Sequence, residues 1–420
     1  MNRRNAEQEQ GAPVAWHLLE SCLTGLLEQV VSERQPADQL LRGCIGQYRI
    51  GSSERRLLSE AFFFALRHGR LLQHGLSGSS LARVALDCVT GRAQLPDAAS
   101  LPPALRWSLP DWLWQRWQLD LGHEEAAALA EAVNQRAPCD VRVSRLQGGR
   151  DRVLARMDQA GIRAQPTPWS PDGIRMATAL SRQELSQQGL DQGGLLEVQD
   201  EGSQLISLLV EPQPGWQVID LCAGTGGKTL HLADLLGRSG KIIATDHRPD
   251  RLQRLRQRLK SAGVRHVEVL TIQHERDSRL HGWRQRADAV LVDAPCSGSG
   301  TLRRRPELKW RLQEQECDAF HWRQLALLDA AAMLVRPGGR LVYATCSLLA
   351  RENEQVVQAF MAGQNQFRVL PVGEILARQG IDTTLSSGPF MQLWPHRSQT
   401  DGFFAAVLQR LSQRPSSLHT

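Results

Sequence analysis

From Gln217 onward the chain alternates short apolar runs with stretches of helical length, in the order "QVIDL", helix, "KIIATD", helix, "VEVLTI", "DAVLVDAP", helix, "RLVYATC", helix and a closing "FFAAVLQRL". Strands that take turns with helices are joined by crossovers, and a crossover makes neighbouring strands run parallel. The pattern therefore predicts an α/β fold with a doubly wound, mostly parallel sheet. Ligands of such a sheet bind beyond the carboxyl ends of its strands. Asp220, Asp246, Asp293 and Cys346 all fall at those ends. The pattern thus constrains both the fold and the place where chemistry can occur.

The first strand runs through "VIDLCAGTGGKTLHLADLL" into a glycine loop and a helix. Gly224, Gly226 and Gly227 let the backbone turn tightly, with the amides of the helix start facing a ligand. Three ligand classes compete for such a loop. A P-loop for a nucleoside triphosphate is suggested by "GGKT" and by the acid-ended "AVLVDAP", but its spacing requires glycine at position 222, where the chain has Cys222. A dinucleotide loop requires a third glycine where Thr229 stands, and it leaves both strand-end cysteines without a role. The third ligand is S-adenosylmethionine. Asp246, 26 residues after Asp220, can bridge two ribose hydroxyls, while the loop amides and Lys228 meet the methionine carboxylate. The plain alternative for Asp246 is a cap on the next helix.

Eight cysteines lie at 22, 44, 88, 139, 222, 296, 317 and 346, with no C-x-x-C and no Cys/His cluster. That spacing suits neither a disulfide framework nor a metal site, so no metal is expected. Cys22, Cys44, Cys88, Cys139 and Cys317 read as small buried apolar residues. Cys296 and Cys346 differ, because each stands just past a strand on the ligand side, 50 residues apart. A methyl donor beside two thiols points to methylation of a pyrimidine. Carbon 5 of that ring becomes nucleophilic when a thiolate adds at carbon 6, and a separate acid/base step then removes the carbon 5 proton. Asp293 would hydrogen-bond the ring at N3, and Lys228 or Arg303 to Arg305 would favour the thiolate.

Upstream the pattern changes twice. "AWHLLESCLTGLLEQVV", "RRLLSEAFFFALRHGRLLQH", "WLWQRWQLDLG" and "HEEAAALAEAVNQ" have apolar positions at helical spacing, so residues 1–136 read as an all-α domain. Trp107, Trp112, Trp114 and Trp117 are assigned to its core rather than to base stacking. Residues 137–198 read as a small α/β module, and residues 199–412 as the large domain.

Between Lys241 and Arg311 there are 17 Lys and Arg against 8 Asp and Glu, which suits a polyanionic partner. The plain alternative is a solvated helix face. No apolar run approaches membrane-spanning length, and "MNRRNAEQEQ" has no apolar leader core, so a cytoplasmic protein is expected.

"LCAGTGGKT", "VDAPCSGSGTLRRRPELKW" and "LVRPGGRLVYATCSLLARENEQVV" resemble the Sun/Fmu family of RNA (cytosine-5)-methyltransferases, as do "LLEVQDEGSQLISLLVEPQPG" and "LWPHRSQTDGFFAAVL". The likeness covers about residues 137–410, and the helical region is similar to the NusB-like domain of the bacterial 16S rRNA branch. The resemblance implies a Rossmann-like S-adenosylmethionine domain and an RNA substrate, 16S rRNA first and tRNA or another RNA second. It also implies RNA binding by the NusB-like and α/β domains, with a monomer as the default state. Cys346 would be the nucleophile and Cys296 would assist proton removal and release. The cofactor would meet Cys222, Ala223, Gly224, Thr225, Gly226, Gly227 and Lys228, with Asp246 at the ribose and Asp293 near the reacting centre. The family's "CAAPGGK" is here "CAGTGGK", and its adenine-binding acid aligns with Gln273. A DNA cytosine methyltransferase would use the Pro-Cys thiol alone and leave Cys346 idle. A non-catalytic ribosome-assembly protein would need neither thiol.

Overall fold

The computed structural model describes residues 16–412 apart from 49, 76, 77, 179, 181 and 191. The opening decapeptide, on which the absence of a leader rested, lies outside the described residues. The chain divides into two compact units, one running to Arg136 and including Leu302–Glu314, the other formed by Ala137–Thr301 and the residues from Gln315 onward.

The first unit is helical, with long helices at Trp16–Ser32 and Ser52–His74 and shorter ones at Ala37–Gln47, Leu81–Val89, Asp111–Leu121 and His123–Ala132. Leu19, Leu23, Leu26 and Val30 recur every three or four residues and are fully buried, against Leu58, Phe62 and Leu66 of the second long helix. Trp114 and Trp117 are buried as well, while Trp107 and Trp112 are half-buried.

Leu302–Glu314 corrects the sequence reading, which kept this segment inside residues 199–412. It is a strap on the helical unit. The Trp310 indole donates to the Leu66 carbonyl at 3.0 Å and lies where a Cβ on Gly69 would stand, and Arg311 donates to the Val30 carbonyl at 2.7 Å. Lys309 is buried and donates to the carbonyls of Arg67 and Trp107, at 3.2 Å each, and to the Asn134 amide oxygen.

The second unit begins with four antiparallel strands, β1 (Cys139–Val143), β2 (Ala164–Pro166), β3 (Gly173–Met176) and β4 (Leu196–Val198), in the order β2-β3-β1-β4. Helix Gly149–Gln159 buries Val153 and Met157 against Val141, Val143 and Ile174 of this sheet. Among the ties between the module and the larger domain is a buried carboxylate. Asp234 accepts from the Ser144 hydroxyl (2.8 Å), the amides of Arg145 (2.7 Å) and Leu146 (3.0 Å), and the Arg142 guanidinium (3.4 Å).

The larger domain carries β5 (Gln217–Asp220), β6 (Lys241–Asp246), β7 (Val267–Thr271), β8 (Ala287–Asp293), β9 (Val335–Thr345), β10 (Phe367–Leu370), β11 (Ser386–Ser387), β12 (Phe390–Leu393) and β13 (Phe403–Arg410). Their order is β11-β12-β13-β9-β8-β5-β6-β7, with β10 paired to β13. The stretch β9-β8-β5-β6-β7 is parallel and the remainder antiparallel. Inner parallel strands are covered on both faces. Accordingly Val218, Leu291 and Val342 enter one core, and Ile219, Val290, Val292, Leu341 and Tyr343 enter the other. Parallel direction brings the ends of β5, β6, β8 and β9 to the same edge. Among the described residues no helix is long and apolar enough to cross a membrane.

Candidate active site

The glycine loop joins β5 to helix Gly227–Leu236 through Gly226, whose φ of 89° lies in the left-handed region. Helix amides in the first turn have no intrahelical carbonyl to meet, so those from Gly227 onward are available to an anion. Asp246 ends β6 and is nearly buried. One of its oxygens accepts from the Gly224 amide at 2.9 Å and the other from the Arg248 amide at 2.8 Å. It therefore ties the loop to the next strand and also caps the following turn; Oδ1 also faces His247 Nδ1 at 3.4 Å, and Oδ2 keeps a lone pair for a hydroxyl group.

Asp220 lies beneath this loop with one oxygen accepting from the Thr229 hydroxyl at 2.6 Å and Oδ1 without a partner among the described residues. Burial pushes its carboxyl up to about 7, outweighing the lowering by Thr229, and the Asp293 and Asp246 charges add to the rise. Burial likewise pushes the Cys222 thiol up. An orphaned carboxylate oxygen, helix-start amides and a hydroxyl-ready Asp246 suit the amino, carboxylate and ribose groups of S-adenosylmethionine.

Lys228 reaches across from the helix start. Its Nζ is 2.7 Å from Asp293 Oδ2, the carboxylate that ends β8, and 5.6 Å from the centre of the Phe403 ring. Burial works to lower its pKa, but Asp293 outweighs that and the Cys346 sulfur adds to the rise, so Lys228 stays charged. Arg303 to Arg305, the other cations named for the thiols, belong to the strap that is part of the helical unit.

Beyond β8 and β9 the two cysteines face each other with their sulfurs 3.3 Å apart, both partly exposed. The two loops are stitched together. Gly300 donates to the Cys346 carbonyl at 3.0 Å, and the Leu348 amide donates to the Ser299 hydroxyl at 2.9 Å. The "TDGFF" segment closes over them, its Gly402 amide donating to the Gly300 carbonyl at 2.8 Å so closely that neither glycine has room for a Cβ. The Cys296 thiol is pushed well above its ordinary range, first by its hydrogen bond to Cys346 and then by burial.

Sequence reasoning missed the group underneath. Glu352 is fully buried, and its carboxylate accepts from the Ser297 amide (2.8 Å), the Ser297 hydroxyl, the Ser347 hydroxyl (2.6 Å) and the Gln324 side-chain amide (3.0 Å). The signal was present: each cysteine is followed by serine, in "PCS" and in "TCS".

The structure brings together Cys222 to Lys228, Asp246, Asp293, Cys296 and Cys346 at the strand-end edge. Gln273 also follows a strand of that edge, β7, but its side chain is exposed and its amide donates to Asp277 at 2.8 Å. In the basic window, helix Pro249–Ser261 buries Leu252, Leu255 and Leu259 and exposes Arg251, Arg254, Arg256 and Lys260, while Lys241 pairs with Glu268 and Arg258 with Glu197. Among the described residues no cluster could hold a metal ion.

Comparison with known proteins bears on the same residues. Residues 207–409 match the family described as 16S rRNA methyltransferase RsmB/F, and residues 109–183 match its ferredoxin-like domain, which starts upstream of the boundary read at 137. The chain is 32% identical over 308 residues to the probable ribosomal RNA small subunit methyltransferase B of Synechocystis sp., covering 73% of this chain and 67% of that one. It is 35% identical over 306 residues to ribosomal RNA small subunit methyltransferase B of Klebsiella pneumoniae, covering 72% and 66%. These matches span about two thirds of each relative. Among solved structures, a methyltransferase homolog protein from Pyrococcus horikoshii shares the fold with a TM-score of 0.61 and 28% identity, over 74% of this chain and 98% of that one. The chain belongs to the RsmB/F branch of the Sun/Fmu family, the S-adenosylmethionine-dependent RNA (cytosine-5)-methyltransferases.

Proposed function

We propose that this chain methylates carbon 5 of a cytosine in 16S rRNA through a covalent adduct on Cys346. The observation that carries the reading is the pair of thiols facing each other at 3.3 Å beside the Lys228–Asp293 ion pair. S-adenosylmethionine supplies an electrophilic methyl group. Cys222, Ala223, Gly224, Thr225, Gly226, Gly227 and Lys228 would hold it, with Asp246 at the ribose and Gln273 as acceptor for the adenine amino group.

The chain's own groups account for the remaining steps. The Cys346 sulfur, as thiolate, adds to carbon 6 and makes carbon 5 nucleophilic, and Lys228 supplies a positive charge at the same strand-end edge. Asp293 hydrogen-bonds the ring at N3. Release requires a proton to reach the departing Cys346 sulfur and another to leave carbon 5. Cys296 hands over the first and, being then a strong base, takes up the second, so the proton count closes.

The cytosine has to leave its stack, at a cost of ~a few kcal/mol, which favours a loop or an unfolded rRNA segment over a stable duplex. The helical domain, read as residues 1–136 and NusB-like, and the α/β module at 137–198 dock that RNA. The protein acts as a monomer in the cytoplasm.

The test is to mix variants with undermethylated 16S rRNA and cofactor. Cys296→Ala accumulates an RNA–protein complex that survives denaturation, and Cys346→Ala forms none. An active Cys346→Ala variant together with an adduct-free Cys296→Ala variant overturns the assignment of roles.

A further inference from the structure

Glu352 is fully buried, yet the hydrogen bonds of its carboxyl group go to neither the glycine loop nor a sulfur. A buried carboxylate is tolerated only when its lone pairs are filled. Here four donors fill them, and they come from three different segments. Ser297 gives its amide and hydroxyl, Ser347 its hydroxyl, and Gln324 its side-chain amide, which also donates to the Pro295 carbonyl at 3.0 Å. Ser297 directly follows Cys296 and Ser347 directly follows Cys346. One carboxylate oxygen, Oε1, accepts from both serine hydroxyls. The next residue reinforces this: Asn353 accepts from the Thr345 hydroxyl at 2.6 Å and donates to the Ser347 carbonyl at 2.9 Å.

We propose that Glu352 is a positioning residue for both cysteines, a buried hydrogen-bonding clamp that holds the Pro-Cys and Thr-Cys loops in register and so sets the distance between their sulfurs. Its catalytic meaning rests on the two-thiol reading above, but the clamp itself is a statement about geometry. A single acceptor bridges the residues next to both cysteines, so its loss loosens them even though the Gly300–Cys346 and Leu348–Ser299 bonds remain. Glutamine in its place keeps the shape but turns an N–H group towards either the Ser297 amide or the serine hydroxyls. Aspartate keeps the carboxyl group but falls one methylene short.

A readout independent of methyl transfer tests the clamp. Diamide takes two electrons and two protons from a pair of thiols, leaving a disulfide and its own hydrazine, and it does so quickly only when the sulfurs are close. In the full-length protein lacking the other six cysteines (each changed to Ser or Ala), Cys296 and Cys346 are expected to oxidise rapidly. Glu352→Gln is expected to slow this tenfold or more, and Glu352→Asp to restore part of the rate. An unchanged rate in a folded Glu352→Gln protein overturns the proposal. If that variant does not fold, Ser347→Ala decides by the same measurement. A severalfold slower oxidation supports the clamp, and a wild-type rate overturns it.

The adduct assay separates the clamp from the reading beneath it. Ser347→Ala is expected to slow adduct formation severalfold, whereas Ser297→Ala slows adduct resolution so that the complex builds up. Slower oxidation with no adduct in any variant keeps the clamp and removes the covalent mechanism.

Discussion

Lys228 and Asp293 meet at 2.7 Å across the strand-end edge, one from the helix after β5 and the other from the end of β8. A single ion pair thus connects the helix after the glycine loop to the carboxylate that precedes the Pro-Cys turn. Lys228→Met removes the cation of this pair and leaves Asp293 without its partner. We expect kcat/KM to fall roughly 100-fold, or about 3 kcal/mol of transition-state stabilisation, in steady-state methyl transfer.

Asp220 makes stability depend on pH in a defined direction. Its carboxyl is at about 7 in the folded protein against an ordinary 3.8, so the folded state holds a proton that the unfolded state releases. Stability from this group is full below pH 4, declines as the pH rises, and is lost above pH 7. Asn in its place retains an acceptor for Thr229 and carries no charge. Asp220→Asn is expected to melt several degrees above the parent at pH 8 and to lose most of that advantage at pH 5, as thermal unfolding of the cofactor-free protein can show.

Asp234 holds the small module to the methyltransferase domain by bonds to Ser144, Arg145, Leu146 and Arg142. Asp234→Ala leaves the Arg142 guanidinium, only 2% exposed, without its carboxylate. A cost of about 3–5 kcal/mol is expected for an uncompensated buried charge. It should appear as a lower urea midpoint or as a separate early transition of the module.

Gly69 is kept open by Trp310, whose indole occupies the space a Cβ would need. Gly69→Ala overpacks this contact, which costs about 1–3 kcal/mol. The indole should lose its hydrogen bond to Leu66, and its fluorescence should shift to the red before global unfolding begins.

The exposed arginines of helix Pro249–Ser261 predict an RNA affinity that weakens steeply with salt, at least tenfold between 50 and 200 mM, through release of counterions. Titration of rRNA fragments at four salt concentrations gives the slope, and changing Arg251 and Arg254 to Gln should lower it by about two.

The strand ends were legible because parallel strands in an α/β sheet are short, apolar and punctuated by the acids and thiols that follow them. The cysteine pair was legible because two similar strand–Cys constructions stand 50 residues apart. Glu352 was not, because the sequence around it, "ARENEQ", looks like solvated helix start, and the only signal lay far from it, in the serine after each cysteine. Leu302–Glu314 was hidden for the same reason. "RRRPELK" reads as an exposed basic loop, yet Lys309 is buried on the oxygens of residues far away in sequence.

The strap also has a consequence for synthesis. Asn134 and its partner Lys309 are 175 residues apart, so the helices translated first cannot complete their packing until the chain has grown well past the Pro-Cys loop. On the ribosome this helical unit must wait, with the groove beside Gly69 still open, through manufacture of the small module and most of the parallel sheet. A fragment cut at Arg136 would remain in that waiting state permanently.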